Sequence, residues 1–427
     1  DWDTPFQIAP FDTISDEDFA PALDIALARH RAEIDAIAGA DAPATFANTI
    51  EALEAVGRDL DKVLGTFYTV AGADSNPARE ALQRDFSPKL AAHFAEISGN
   101  KALFARVADV YAARDQLNLT DEQARVLMLT HRGFVRSGAA LEGADEARMK
   151  VIKGRLAELG TSFTQNLLAD ERDWFMELGE DDLAGLPDFV VNTARAAGEE
   201  KGTDGPVVTL SRSLIVPFLQ FSTRRDLREV AYKAWTARGA NGGETDNRAI
   251  AAEILALREE RAKLLGYESF AAYKLETEMA KTPEAVRDLL MDVWAPARAQ
   301  ANADAQALEQ MMVRDGVNGP LAPWDWRFYS ERRRKELHDL DEAEVKPYFQ
   351  LERMIEASFS CANRLFGLEF RPLDIPLYHP DCRAWEVTRR GAHVAVFFGD
   401  YFARGSKRSG AWCSAMRAQA KYPEVQA

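Results

Sequence analysis

Metal and proton-transfer chemistry usually calls on histidine, and this sequence has six: His30, His93, His131, His338, His379 and His393. No two stand at the HxH, HxxH, HxxxH or HExxH spacings that put a pair of zinc ligands on one helix face. The nearest approach to a donor cluster is the stretch YHPDCRAWE, which sets His379, Asp381, Cys382 and Glu386 close together. Its residues allow a metal site, but a proline-containing turn before a strand, with the histidine hydrogen-bonded locally, is the expected reading. Nucleophilic catalysis finds no G-x-S-x-G, and the only Cys–His neighbours are again His379 and Cys382. Cys413, in the helix-like GAWCSAM, reads as a small buried apolar residue. Neither G-x-x-x-x-G-K-[ST] nor G-x-G-x-x-G occurs, so nucleotide binding has no support. Glu180, Asp181 and Asp182 read as a helix N-terminus that favours negative charge. By residue chemistry alone, no catalytic group is named.

One stretch is richer: FFGDYFARGSKRSGAW, Phe397 to Trp412. It holds Asp400 among Arg404, Lys407 and Arg408. Gly399, at the end of an aromatic strand, would let another backbone approach closely. An edge strand beside a cleft can pair with an extended peptide, and the bases could take a peptide carboxylate. The plainer reading is a strand exit stapled by an Asp400–Arg404 or Asp400–Lys407 ion pair. The two readings are compatible.

The elements that must position these residues are mostly long amphipathic helices. Phe46, Ile50, Leu53, Val56, Leu60, Val63, Leu64 and Phe67 recur at steps of three or four and predict one stripe. Ile152, Leu156, Leu159, Phe163 and Leu167 predict a second. Ile250, Ile254, Leu257, Leu264 and Leu265 predict a third, opened by Thr245-Asp246-Asn247 and closed by Gly266. Pro283 to Met312 is a further helix with proline at an early position. Two regions predict small β-hairpins. Residues 187–216 have a glycine-rich, charged middle between two short β segments. Residues 384–402 alternate through Trp385, Val387, Val394, Val396 and Phe398 about an Arg390-Gly391 turn. The Gly- and Pro-rich run 313–325 is the nearest thing to a linker, and it suggests a helical region over 1–312 followed by a second region over 313–427. The fold class is mainly α.

With 427 residues the chain can bury a large core and hold more than one domain. A net charge of −16 argues against nucleic acid or an anionic membrane as default partners. Three cysteines without a CxxC pair make a disulfide framework unexpected and a reducing compartment the simpler setting. No apolar run is long enough to span a bilayer. Residue 1 is Asp, so a removed signal peptide stays open.

The segments TPFQIAPFDTI, TFANTIEALE, LTHRGFVRSGAAL, LGTSFTQNLLADE, PWDWRFYSERRRKEL, PLYHPDCRAWEV and FFGDYFARGSKRSGAW, in this order along nearly the whole chain, resemble the thimet oligopeptidase-like zinc metallopeptidases, in particular their bacterial peptidyl-dipeptidase and oligopeptidase A branch. The resemblance implies a mainly helical fold with two lobes, discontinuous in sequence, flanking a deep channel, and a small sheet beside the active site. Residues 1–312 would line one side of the channel and 313–427 would begin the catalytic region.

It also implies zinc held by H-E-x-x-H and a later Glu, with the motif's Glu as general base. In the family that helix follows a few dozen residues after the segment that FFGDYFARGSKRSGAW resembles, and residues 1–427 contain no such motif. What carries over is non-catalytic channel wall: Gly399, Asp400, Tyr401, Arg404 and Lys407. Asp400, Arg404 and Lys407 also fit the more distant animal branch. The position of Cys413 commonly holds Met, a minor departure. The resemblance therefore implies the N-terminal part of a zinc-dependent peptidase of short unstructured peptides, one expected mode being release of C-terminal dipeptides. Zinc belongs to the full-length protein, and the segment as given is expected to bind none and to be inactive without its C-terminal half. Cytoplasm is the expected compartment, with periplasm the alternative. A helical peptide-binding or scaffold protein without catalysis is the second reading.

Overall fold

The computed structural model describes residues 2–339, 345–402, 404, 406–407, 410–421 and 424–425. Its helices are α1 Asp16–Ala38, α2 Ala52–Ala55, α3 Arg58–Ala73, α4 Pro77–Ser98, α5 Lys101–Ala112, α6 Asp121–Ser137, α7 Gly143–Asp173, α8 Asp188–Lys201, α9 Arg212–Phe221, α10 Arg225–Thr236, α11 Arg248–Leu264, α12 Phe270–Leu275, α13 Pro283–Arg314, α14 Pro323–His338 and α15 Leu351–Phe366. The strands are β1 Phe175–Glu177, β2 Val207–Thr209, β3 Leu368–Leu373, β4 Arg383–Arg389 and β5 Ala392–Gly399, with a two-residue pair, Ala420–Lys421 and Glu424–Val425, near the end. The fold is mainly α. By packing, the chain forms two units: Asp1–Leu141 with Phe349–Ala427, and Glu142–Tyr348. Among the described residues no helix is long and apolar enough to cross a membrane.

In the first unit, α1 starts where Ser15 and Asp18 form a capping box, and α4 where the Asn76 side chain accepts from the Arg79 amide ahead of Pro77. Phe19, Leu23 and Leu27 of α1 bury against Leu60, Phe67 and Val70 of α3 and Phe86 and Leu90 of α4. Each such fully buried side chain contributes about 1.5–3 kcal/mol. The single stripe expected from Phe46 to Phe67 is broken. Phe46–Glu51 winds as a π-helical turn, α2 follows, and an extended Val56 and a left-handed Gly57 (φ 80) interrupt the helix before α3. A Cβ on Gly57 would lie 3.2 Å from the His30 ring, and its amide donates to Glu33 at 2.9 Å. The apolar spacing runs straight across the break, which is why periodicity alone missed it.

In the second unit, Ile152 and Leu159 of α7 pack on Leu257 of α11, flanked by bidentate Arg148–Glu260 and Arg155–Glu253 pairs. The expected hairpin over 187–216 is not formed. Residues 188–201 are α8, whose Val190, Ala194 and Gly198 recur every four residues and are buried. Only Val207–Thr209 is β, and its antiparallel partner is Phe175–Glu177, upstream of the helix. The helical period outweighed the glycine and charge content. Glu180–Leu183 is a short 3-10 turn with Asp182 capping Gly179, as the acidic run implied. The residues between α13 and α14 lie inside this unit, where Leu308, Met311 and Met312 pack on Tyr329. At the start of α14, Asp325 is fully buried between Arg225 and Arg228.

The sheet that concerns the site belongs to the first unit. Its order is β3-β4-β5, all antiparallel, so β5 is an edge. The expected hairpin turn is there: Arg390 and Gly391 both have positive φ (53 and 77), the twist that suits a two-residue hairpin.

Candidate functional site

Strand alternation gives the sheet two faces. On one, Phe359 of α15 stacks on Phe370 (4.0 Å, 6°) and meets Trp385 and Phe397 edge-on. Alternation then turns Val396 and Phe398 to the other face, where His393 sits 3.2 Å from Glu386. That face opens on a groove of about 2000 Å³, which β5, α3, the segment Trp2–Ala9 and residues 400–402, 404, 407, 410–418 and 420 line together.

The end of the groove beyond β5 is built around Asp400, whose side chain is 10 % exposed. Its carboxylate accepts from Arg404 Nη1 and Nη2 (2.8 and 2.7 Å) and from Tyr378 Oη (3.1 Å), with Lys407 Nζ at 3.0 Å. Burial pushes this carboxyl up, but the hydrogen bonds from Arg404 and Lys407 outweigh burial and hold it down at about 2. Burial also raises the Tyr378 hydroxyl and the neighbouring Cys382 thiol, so both stay protonated at neutral pH. The network reaches α3. Arg404 Nη2 donates to the Ala73 carbonyl (2.7 Å), one of the acceptors a helix end leaves unpaired; Ser406 Oγ donates to Asp74, and the Ser75 amide to the Ser406 carbonyl. Lys407 also donates to the carbonyls of Asp400 and Phe402 and lies over the Trp412 ring.

Gly399, Asp400, Tyr401, Arg404 and Lys407 thus come together on the groove. The ion-pair staple is formed, and by both bases at once. Arg404 and Lys407 spend their charge on Asp400 and on main-chain carbonyls, so they rigidify the loop and are not held out for a ligand. Gly399 makes room, but for its own chain: a Cβ there would lie 2.6 Å from the Tyr401 ring. Arg408 lies outside the described residues. Two expectations fail next to it. Residues 410–416 are irregular instead of helical, and Cys413 is exposed instead of buried. A segment this short does not sustain a helix without a packed face, and this one is drawn out across α3.

Sequence reasoning missed how that crossing is made. The Met416 carbonyl oxygen lies 2.5 Å from where a Cβ on Gly65 would stand, so the two backbones touch because residue 65 has no side chain. The available signal was a glycine within the apolar run of α3. It also missed Phe6, whose ring stacks flat on His393 (4.2 Å, 9°), and Arg417, which donates to the Phe6 carbonyl.

Donors for a metal are not gathered here. His379 Nδ1 accepts from the Asp381 amide (3.1 Å), which makes YHPDC the local turn expected of it. His30 and His93 bond to each other, His131 stacks on Tyr111, and His338 ends α14. Among the described residues no three His, Cys, Asp or Glu side chains converge as a metal site.

Residues 218–426 match Peptidase family M3. The chain is 37% identical over 413 residues to dipeptidyl carboxypeptidase of Escherichia coli, covering 96% of this chain and 61% of that protein. It is 39% identical over 415 residues to dipeptidyl carboxypeptidase of Salmonella typhimurium, with the same coverage. Against oligopeptidase A of Escherichia coli it is 30% identical over 417 residues, again across 96% of this chain and 61% of the relative. The chain therefore spans about three-fifths of the length of these relatives. By sequence the chain is similar to dipeptidyl carboxypeptidase and oligopeptidase A, and its second half matches Peptidase family M3.

Proposed function

We propose that this chain is the N-terminal part of a zinc-dependent peptidase that hydrolyses short unstructured peptides, releasing C-terminal dipeptides among its products, and that its groove is where its own residues meet the peptide. The observation that carries the proposal is the edge strand β5, inside the region matched to Peptidase family M3, flanking an open groove. An extended peptide can pair with the free edge of such a strand, main chain to main chain, so that affinity does not depend on peptide sequence. Gly399, Asp400, Tyr401, Arg404 and Lys407 form the wall at one end. Their part is to hold shape: the Asp400 network ties the end of β5 to the end of α3. In this reading residues 313–427 begin the catalytic region by role, a division separate from the division by packing.

Zinc would polarise the scissile carbonyl and make hydroxide available near neutral pH. The residues of this chain do not fit such a site, since among the described residues no three His, Cys, Asp or Glu side chains converge, so no step through the metal is assigned to them. The ligands and general base are proposed to lie in the remainder of a longer polypeptide, which is this chain's first partner. The 427-residue chain alone is proposed to be inactive, and the whole protein to work in the cytoplasm.

The test incubates the full-length protein and the 427-residue chain with N-terminally blocked peptides and reads products by mass spectrometry. The full-length protein is expected to release C-terminal dipeptides, to stop with a zinc chelator and to recover with zinc. The shorter chain is expected to release nothing. Absence of products from the zinc-restored full-length protein refutes the peptidase reading and leaves a peptide-binding or scaffold role.

A further inference from the structure

The segment Trp2–Ala9 has no role in the reading so far, yet it lies in the groove. We propose that it is a fixed stop, which ends the run of an extended peptide along β5 at His393 and so limits ligand length. This rests on the peptide reading of the groove and adds a limit to it.

Three observations make it a stop and not a loose end. First, its position: Phe6 covers His393, the second residue of β5, with parallel rings 4.2 Å apart. Beyond the stack only Val394–Gly399 remain, six residues, or ~20 Å of strand. Second, it is tied on several sides. Arg417 donates to the Phe6 carbonyl (2.9 Å), Lys62 of α3 lies over the Trp2 ring, and Ala9 is buried. Just beyond, Phe11 packs into the α1–α3–α4 core and meets Tyr378 edge-on, and Tyr378 in turn donates to Asp400. The stop and the wall at the far end of the groove are thus braced by one residue. Third, its backbone is strained. Phe6 and Gln7 are consecutive non-glycine residues in the left-handed region (φ 56 and 54). Side chains rarely adopt that conformation, and it persists only where surrounding contacts over-determine it. Here it aims the Phe6 ring at His393.

The partner chemistry follows. The ligand is an extended peptide with about six residues against β5, and the residue at its end meets an aromatic face, not solvent. A longer peptide must turn away or displace Phe6, and either weakens it relative to a short one.

The test uses the full-length protein and a series of unstructured peptides from about four to about twelve residues, with kcat/KM measured for wild type, Phe6→Ala and Phe6→Leu. Wild type is expected to lose on the order of tenfold in kcat/KM on the longest peptides relative to the shortest. Phe6→Ala is expected to flatten that profile, and Phe6→Leu, which keeps bulk at the stop, to retain most of it. If Phe6→Ala leaves the length profile unchanged, the stop is refuted while the peptidase reading stands. If no peptide of any length is cut or bound by wild type, the peptidase reading itself has failed, and the stop with it.

Discussion

Replacing Asp400 by Asn removes one charge from a network with little water around it. The structure sets the size of the effect. Asp400, Arg404 and Lys407 have side chains 10, 12 and 10 % exposed. Holding the carboxyl from 3.8 down to about 2 corresponds to about 2 kcal/mol, since a tenfold change in proton affinity is worth about 1.4 kcal/mol. That is the part the ion pairs contribute beyond the opposing effect of burial. Asn removes it and also strands two cations at a poorly solvated site, the situation in which breaking a buried pair costs about 3–5 kcal/mol. We expect Asp400→Asn to fall within that range, and to act first on the loop, because Arg404 holds the Ala73 carbonyl and Ser406 holds Asp74 and Ser75. Hydrogen exchange resolved to residues 400–417, together with urea unfolding, separates loop opening from global unfolding. Adding Lys407→Met should restore part of the loss, with a coupling of about 0.5–3 kcal/mol. The sign with pH follows. The group is depressed in the folded state, so its contribution is complete above 3.8 and disappears as pH falls through about 2. An Asp400→Asn protein within about 0.5 kcal/mol of wild type, the usual range for an inconsequential surface change, with unchanged exchange at 400–417, would refute the reasoning.

Three further outcomes are expected. His30 and His93 are hydrogen-bonded at 3.0 Å behind Gly57; burial lowers both, Glu33 and Asp61 pull His30 back up, and His30 and Arg31 lower His93 further against Glu96. Depressed histidines bind protons better when unfolded, so stability should be full above 6.5 and fall as pH drops below it; His93→Gln should flatten that decline in urea midpoints, and an unchanged decline would refute it. Gly65→Ala should keep or improve α3, since alanine is favoured over glycine in a helix by about 1 kcal/mol, while raising exchange at 410–417, because the Met416 carbonyl must move; unchanged exchange there refutes the backbone contact. The first half of α13 leaves Leu290 and Trp294 62 and 60 % exposed beside Leu289, Met291 and Val293, a contiguous apolar face of the kind soluble monomers avoid; the 427-residue chain should self-associate in sedimentation, and Leu290→Lys with Trp294→Lys should reduce it. A monomer at all concentrations would favour the scaffold reading.

Which parts of this were legible in the sequence follows from how far apart the partners are. The β4–β5 hairpin could be read because alternation and the Arg390-Gly391 turn are local, and α7, α11 and α13 because their buried residues keep a helical period. The Asp400–Arg404–Lys407 staple could be read because its members lie within eight residues. The failures at Gly57 and over 188–201 were of weighting: apolar spacing hid a break in one, and glycine and charge hid a helix in the other.

The shape of the groove is different in kind. Arg404 meets Ala73 across 331 positions, and Arg417 meets Phe6 across 411; nothing in either segment's own pattern names its partner. Only residues that tolerate an unusual approach leave a trace, such as Gly65 beneath Met416. The charge of the site is therefore a local property and its shape a distant one, and the two should respond separately to substitution. Changes at Asp400 should loosen the loop that carries the wall. Changes at Phe6 or Gly65, neither of which bonds to Asp400, Arg404 or Lys407, should alter what fits in the groove while the Asp400 network stays formed. Tyr378 is where this separation breaks down, because it packs on Phe11 and donates to Asp400 at once. Tyr378→Phe keeps the first contact and removes the second, so it isolates how much of the groove's shape depends on its charge.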